Sequence, residues 1–100
     1  MKTVTKKMLI QNISQKKGHH PNDVRNVVQA FLDEMTDVLF QGDRLEFRDF
    51  GVFEVVERKA KIGRNPKVPN VPIRIPGRKV VKFTPGKKMR EQMVDKAEGV

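Results

Sequence analysis

Residues 58–79, RKAKIGRNPKVPNVPIRIPGRK, hold eight Lys and Arg and four Pro without one acidic residue. Cationic side chains in such number do no covalent chemistry alone; their chemistry is the neutralisation of a polyanion, with release of its counterions. From Arg58 to Arg90 there are twelve Lys and Arg and no Asp or Glu, so this interval carries +12 of a net +9 and the remainder sums to −3. Charge gathered this way creates a field that draws in a polyanion, whereas a dispersed excess would serve solubility. The stretch Gly63-Arg64-Asn65-Pro66 adds shape. Glycine allows close approach of the backbone, Arg64 and Asn65 offer donors to the acceptors on a minor-groove floor, and Pro66 presents a rigid ring that can wedge between base pairs.

Such residues need a scaffold, and the flanking periodicities supply one. Met8, Leu9, Ile10 and Ile13 recur at helical spacing within residues 5–17, with Thr3 or Thr5 as cap and Gly18 as stop. Residues 20–41 carry a broader stripe of Val24, Val27, Val28, Phe31, Leu32 and Met35, with Pro21 suited to the first helical position and Gly42 ending the helix. The period then becomes two. Leu45 and Phe47, then Phe53 and Val55, predict a hairpin turning near 49–51, and Val81 and Phe83 predict a closing strand. Thr84-Pro85 reads as cap and first-turn proline of a last helix bearing Met89 and Met93. Between the strands, Ile73 and Ile75 alternate with Arg74, so the basic segment is expected to form two strands joined at a tip. Its prolines are excluded from a central strand, but a two-stranded ribbon consists only of edges.

Other chemistries find little support. There is no cysteine for a disulfide or thiolate metal site, and His19 and His20 are adjacent, pointing in different directions. Asp33, Glu34 and Asp37 crowd one helix facing solvent, and nothing resembles a nucleophile with its base or a phosphate-cradling loop. No enzyme activity, cofactor, metal or small-molecule substrate is expected. The longest apolar runs fall far short of the roughly twenty residues that span a bilayer, so no membrane partner is expected. All six phenylalanines lie outside the basic tip, which therefore lacks the stacking platforms of single-strand and RNA-loop binders. A duplex is the better fit. An RNA-binding or ribosome-associated module is the alternative.

The chain resembles the bacterial histone-like family of HU and integration host factor. The resemblance rests on the two-helix start, Gly42-Asp43, DFGVFEV at 49–55, Arg58 through GRNP at 63–66, and VVKFTPGKK at 80–88. It implies an α+β fold: an intertwined dimer, homodimeric or heterodimeric, with a helical base and a three-stranded antiparallel sheet extended into a two-stranded β-ribbon arm. A single domain is expected over 1–100, with 1–57 and 80–95 as dimerisation body, 58–79 as flexible arm and 96–100 as frayed tail. The homodimer is the expected form, on the bacterial nucleoid in the cytoplasm. Double-stranded DNA, preferably bent, nicked or distorted, is the implied partner, bound with low sequence specificity and bent or compacted; a sequence-preferring subunit like those of integration host factor is the other form. The match implies intercalation by Pro66 and DNA contacts from Arg58, Lys61, Arg64, Asn65, Lys67, Arg74, Arg78, Lys79 and Lys82. Lys87 and Lys88 at the start of the last helix, and Lys6 with Lys7 at the start of the first, are implied phosphate partners. Two places depart from the family pattern: Asp49 stands where a small residue is usual, and Lys67-Val68-Pro69-Asn70 replaces the usual sequence after Pro66, leaving Asn70 available for a turn.

Overall fold

A computed structural model describes residues 1–98, leaving aside the side chains of Asn65, Pro69 and residues 95–98. The chain divides into two compact units, 1–37 and 38–100.

The first unit is built on two helices and a tight connection. Helix α1 spans Lys6–Lys17; Thr5 caps it, its hydroxyl accepting the Met8 N–H at 3.3 Å. Gly18 ends it at φ 69°, a left-handed conformation that glycine adopts without a Cβ penalty. The Gly18 and His19 N–H groups both donate to the Ser14 carbonyl, at 3.0 and 3.2 Å. Ser14 is buried, and its hydroxyl donates to the His19 carbonyl, so one small polar residue ties off the turn. Helix α2 spans Pro21–Phe40 and begins at proline, as the sequence predicts. His20 caps it: its carbonyl accepts from Asp23 and Val24, and its Nδ1 accepts the Asn22 N–H at 3.1 Å. Of the two apolar stripes only Ile10 and Val24 are buried, while Leu9, Ile13, Val27, Phe31 and Leu32 remain largely exposed.

In the second unit, the last turn of α2 closes on Gly42 at φ 84°, with Asp43 N–H reaching the Val38 carbonyl at 3.2 Å. Strands β1 (Leu45–Phe47), β2 (Gly51–Arg58) and β5 (Arg78–Pro85) form an antiparallel sheet in the order β1-β2-β5, and β3 (Lys61–Asn65) pairs with β4 (Val68–Ile75) in a separate two-stranded ribbon. The α+β class and the three-strand-plus-ribbon arrangement are those expected from the sequence. Direct pairing of Phe53 with both Leu45 and Phe83 puts one apolar face on the sheet. Its rings interlock, Phe53 and Phe83 at 4.7 Å between centroids and Phe47 and Phe53 at 5.9 Å, distances at which aromatic pairs attract beyond their area.

The last helix, α3 (Lys87–Glu98), begins later than expected. Thr84 and Pro85 do not cap it; they complete β5, opposite Val52 and Gly51. Gly86 then makes the transition, its N–H donating to the Phe50 carbonyl at 2.9 Å and its own carbonyl accepting the Arg90 N–H at 3.0 Å. Sheet pairing overrides the local capping signal because it runs back to Gly51, the first residue of β2. Gly99 and Val100, the end of the tail expected to fray, lie outside the described residues.

The turn from β1 to β2 holds two residues under opposite constraints. Asp49 has φ 67° in a turn closed by Phe50 N–H to the Phe47 carbonyl, a conformation that disfavours any side chain. At Gly51 an added Cβ would lie 2.6 Å from both the Phe83 ring and the Thr84 carbonyl oxygen. In denaturant unfolding at fixed protein concentration, Asp49→Gly is therefore expected to gain about 0.5–1 kcal/mol. Gly51→Ala is expected to lose about 1–3 kcal/mol, since a backbone oxygen cannot step aside.

Candidate nucleic-acid interface

The ribbon has two chemically different faces, fixed by its register. Lys61 pairs with Ile75 and Gly63 with Ile73 on one face; Ile62 pairs with Arg74 and Arg64 with Pro72 on the other. On the first, Ile75 lies over Gly63, where an added Cβ would sit 3.2 Å from its Cδ1. The second brings Arg64 and Arg74 into diagonal cross-strand positions, close enough for both guanidinium groups to serve one surface.

The tip closes through Pro66 and Lys67, both exposed, between the paired residues Asn65 and Val68. Proline fixes φ near −65°, which excludes the positive-φ turns that suit a regular two-residue hairpin. The mismatch is absorbed next door: one step from Arg64 to Asn65 faces four steps from Pro72 to Val68. The residues that depart from the family pattern form this irregularity, and the turn falls on Pro66-Lys67 rather than on Asn70. Asn70 does not take a left-handed backbone, since Asp49 is the sole non-glycine residue with positive φ among the described residues.

The ribbon joins the sheet at a gap in the ladder. The last rung of β2 and β5 is Arg58 with Arg78, and the first of β3 and β4 is Lys61 with Ile75, so Lys59-Ala60 and Pro76-Gly77 face one another unpaired. An added Cβ at Gly77 would lie 3.1 Å from the Arg58 carbonyl oxygen, so glycine is what lets the strands pass here. Directly opposite like charges destabilise a ladder, and Arg58 and Arg78 are such a pair at the mouth of the ribbon. Acids enter only lower down, with Glu57 opposite Lys79 and Glu54 opposite Lys82.

Almost none of this charge is satisfied internally. Among the described residues, Arg58, Lys61, Arg64, Arg74, Arg78, Lys79 and Lys82 make no side-chain hydrogen bond or ion pair, and all seven are exposed. Lys67 is exposed at the tip, and the side chain of Asn65 lies outside the described residues. Lys87 pairs with Glu91 at 4.0 Å, an exposed contact on one helix that leaves its charge available, and Lys88 beside it is exposed. Lys6 belongs to the other unit. Its ammonium donates to the Gln29 side chain, whose amide in turn donates to Asp33 at 2.9 Å, so it is committed to α2. No group of three or more potential metal ligands occurs among the described residues, and no described helix is long and apolar enough to cross a membrane.

Three features lay beyond the sequence reading: the Arg58–Arg78 rung, the acids facing Lys79 and Lys82, and the exposure of Ile62. The first two follow from the register of β2 with β5 and the place of Ile62 opposite Arg74 from that of β3 with β4, and alternation alone leaves both registers open.

The family described as bacterial DNA-binding protein matches residues 4–94. The probable DNA-binding protein HU of Chlamydia trachomatis is 68% identical over 90 residues, 90% of each chain. Integration host factor subunit beta of Alkalilimnicola ehrlichii is 40% identical over 91 residues, again 90% of each. Among solved structures, the Anabaena HU–DNA cocrystal structure superposes with a TM-score of 0.81 at 33% identity, covering 90% of this chain and 97% of that one.

Relief of the like-charge rung has a measurable signature in the free protein. With Arg78→Glu, amide exchange at 56–58 and 78–80 in low-salt buffer without polyvalent anions is expected to slow roughly two- to fivefold, as an attractive pair replaces a repulsive one.

Proposed function

The chain belongs to the bacterial DNA-binding protein family of HU and the integration host factor subunits, and on that premise we propose that it binds duplex DNA as an architectural protein through its basic ribbon. The observation that carries this reading is uncompensated charge on the ribbon and at its base: among the described residues, Lys61, Arg64 and Arg74 on the ribbon and Arg58, Arg78, Lys79 and Lys82 on the strands that lead into it make no internal ion pair. Phosphates are the complement. Arg58, Arg78, Lys79 and Lys82 line the ribbon's base as phosphate partners, while Lys61, Arg64, Asn65, Lys67 and Arg74 enter or flank the minor groove. Pro66, exposed at the turn, is the wedge that parts a base step. Lys87 and Lys88 meet the backbone further down, helped by the free N–H groups of the first turn of α3. Lys6 is the weakest member of the set, being already engaged by Gln29.

Residues 58–79 act as the arm, and the remainder up to residue 95 acts as the body of a homodimer. Support comes from the exposed apolar side chains on both units, Val27 and Leu32 on one and Val81 and Phe83 on the other, which a second copy would cover. The protein needs no catalytic group or cofactor for this role, and its place is the bacterial nucleoid. Bending costs a few kcal/mol for each unstacked step and is offset by the additional DNA brought against the protein, so nicked or pre-bent duplexes bind best.

Competition between nicked duplex DNA and double-stranded RNA of equal length tests the reading, and preference for the RNA defeats it. The wedge is tested separately. Pro66→Ala is expected to reduce the bend, read by energy transfer between labelled DNA ends, while the log–log salt slope of about −0.9 per neutralised phosphate stays unchanged. Equal bending by the variant would remove Pro66 from the role.

A further inference from the structure

Ile62 is 76% exposed, more than any other large aliphatic residue on the ribbon whose side chain is described. It occupies the same face as Arg64, two residues along its strand, and is directly paired with Arg74. A shallow cleft that it helps to line is completed by Ala60, Lys61, Pro72 and Arg74. An aliphatic side chain held in water between two cations gains nothing in the free protein. Its neighbours fix where it goes when the ribbon binds: if Arg64 and Arg74 reach the floor and walls of a minor groove, Ile62 is carried into the same groove between them.

The minor groove separates base pairs mainly by one group. A·T pairs present acceptors and the apolar C2–H edge of adenine, whereas G·C adds the guanine N2 amino donor in the middle of the floor. A branched aliphatic group there packs against adenine C2–H and the sugars. Against guanine it strips water from an amino group and returns no acceptor, and an unsatisfied buried donor is costly. We infer that Ile62 is a specificity-determining residue that biases the ribbon toward minor grooves lacking the guanine 2-amino group. The inference rests on the minor-groove reading above and adds to it a base preference and the residue responsible.

The test uses the full-length protein and nicked duplexes of one length in which only the 2-amino group is moved: G·C against inosine·C, and A·T against 2,6-diaminopurine·T. The intact protein is expected to bind the duplexes without the amino group about fivefold more tightly within each pair, the size expected of one donor left dry. Because inosine also softens the duplex, the ratio is compared across variants. Ile62→Ser, which offers a hydroxyl acceptor at an exposed site and so leaves the fold alone, is expected to bring both ratios below about twofold, and Ile62→Val to keep them. If Ile62→Ser retains the wild-type ratios, or the wild type shows none while still binding duplex DNA, the assignment to Ile62 is overturned and the DNA-binding reading stands. Absence of binding to all four duplexes would overturn both.

Discussion

Uncompensated positive charge on a ribbon too thin to bury anything is the constraint from which the rest of the molecule follows. A two-stranded sheet is marginal in water by itself, and this one carries repelling arginines at its mouth and prolines along its return strand. Such an element is tolerable only if its folding is completed by a ligand and its foundation is held by something else. The foundation is the three-stranded sheet, whose Phe47, Phe53 and Phe83 rings supply the packing that the ribbon lacks. The acids opposite Lys79 and Lys82 belong to this foundation, and they vanish from the register once the ribbon begins.

The same economy governs the helices. With Ile10 and Val24 as the buried apolar residues of the first unit, most of the two stripes is still in water, an arrangement suited to a chain completed by a second copy. Local devices hold the backbone meanwhile. Ser14 and Gly18 close one helix and His20 opens the next, each satisfying terminal N–H or carbonyl groups that would otherwise depend on solvent, while Pro21 brings no N–H that needs a partner. A body assembled this way can leave its apolar faces free for association without losing its shape.

Much of this architecture was legible in the sequence, and where it was not the reason is physical. Helix ends at Gly18 and Gly42 and the start at Pro21 could be placed because backbone conformation there is dictated by the residue itself. The start of α3 could not, because Thr84-Pro85 is a sound local cap that loses to two further rungs of sheet, and tertiary pairing is invisible to a local rule. The basic residues of the ribbon were evident from composition, and the family match covers residues 4–94. Their distribution over two faces was not, since a shift of one residue exchanges the faces entirely. Ile62 illustrates this best: alternation puts it on the face of Arg64, but only the register puts it directly opposite Arg74 and so between two guanidinium groups.

The unpaired interval formed by Lys59-Ala60 and Pro76-Gly77 bears on how one protein serves many targets. Because no rung spans it, tilting the ribbon there breaks no ladder bond, and Gly77 supplies the torsional freedom while Pro76 has no N–H to lose. The outer section can thus be re-aimed as a unit, like a gripper on a wrist, without altering the spacing of its own contacts. Helices of unequal curvature would then be met by the same set of side chains, with compliance located at one joint instead of spread along the limb.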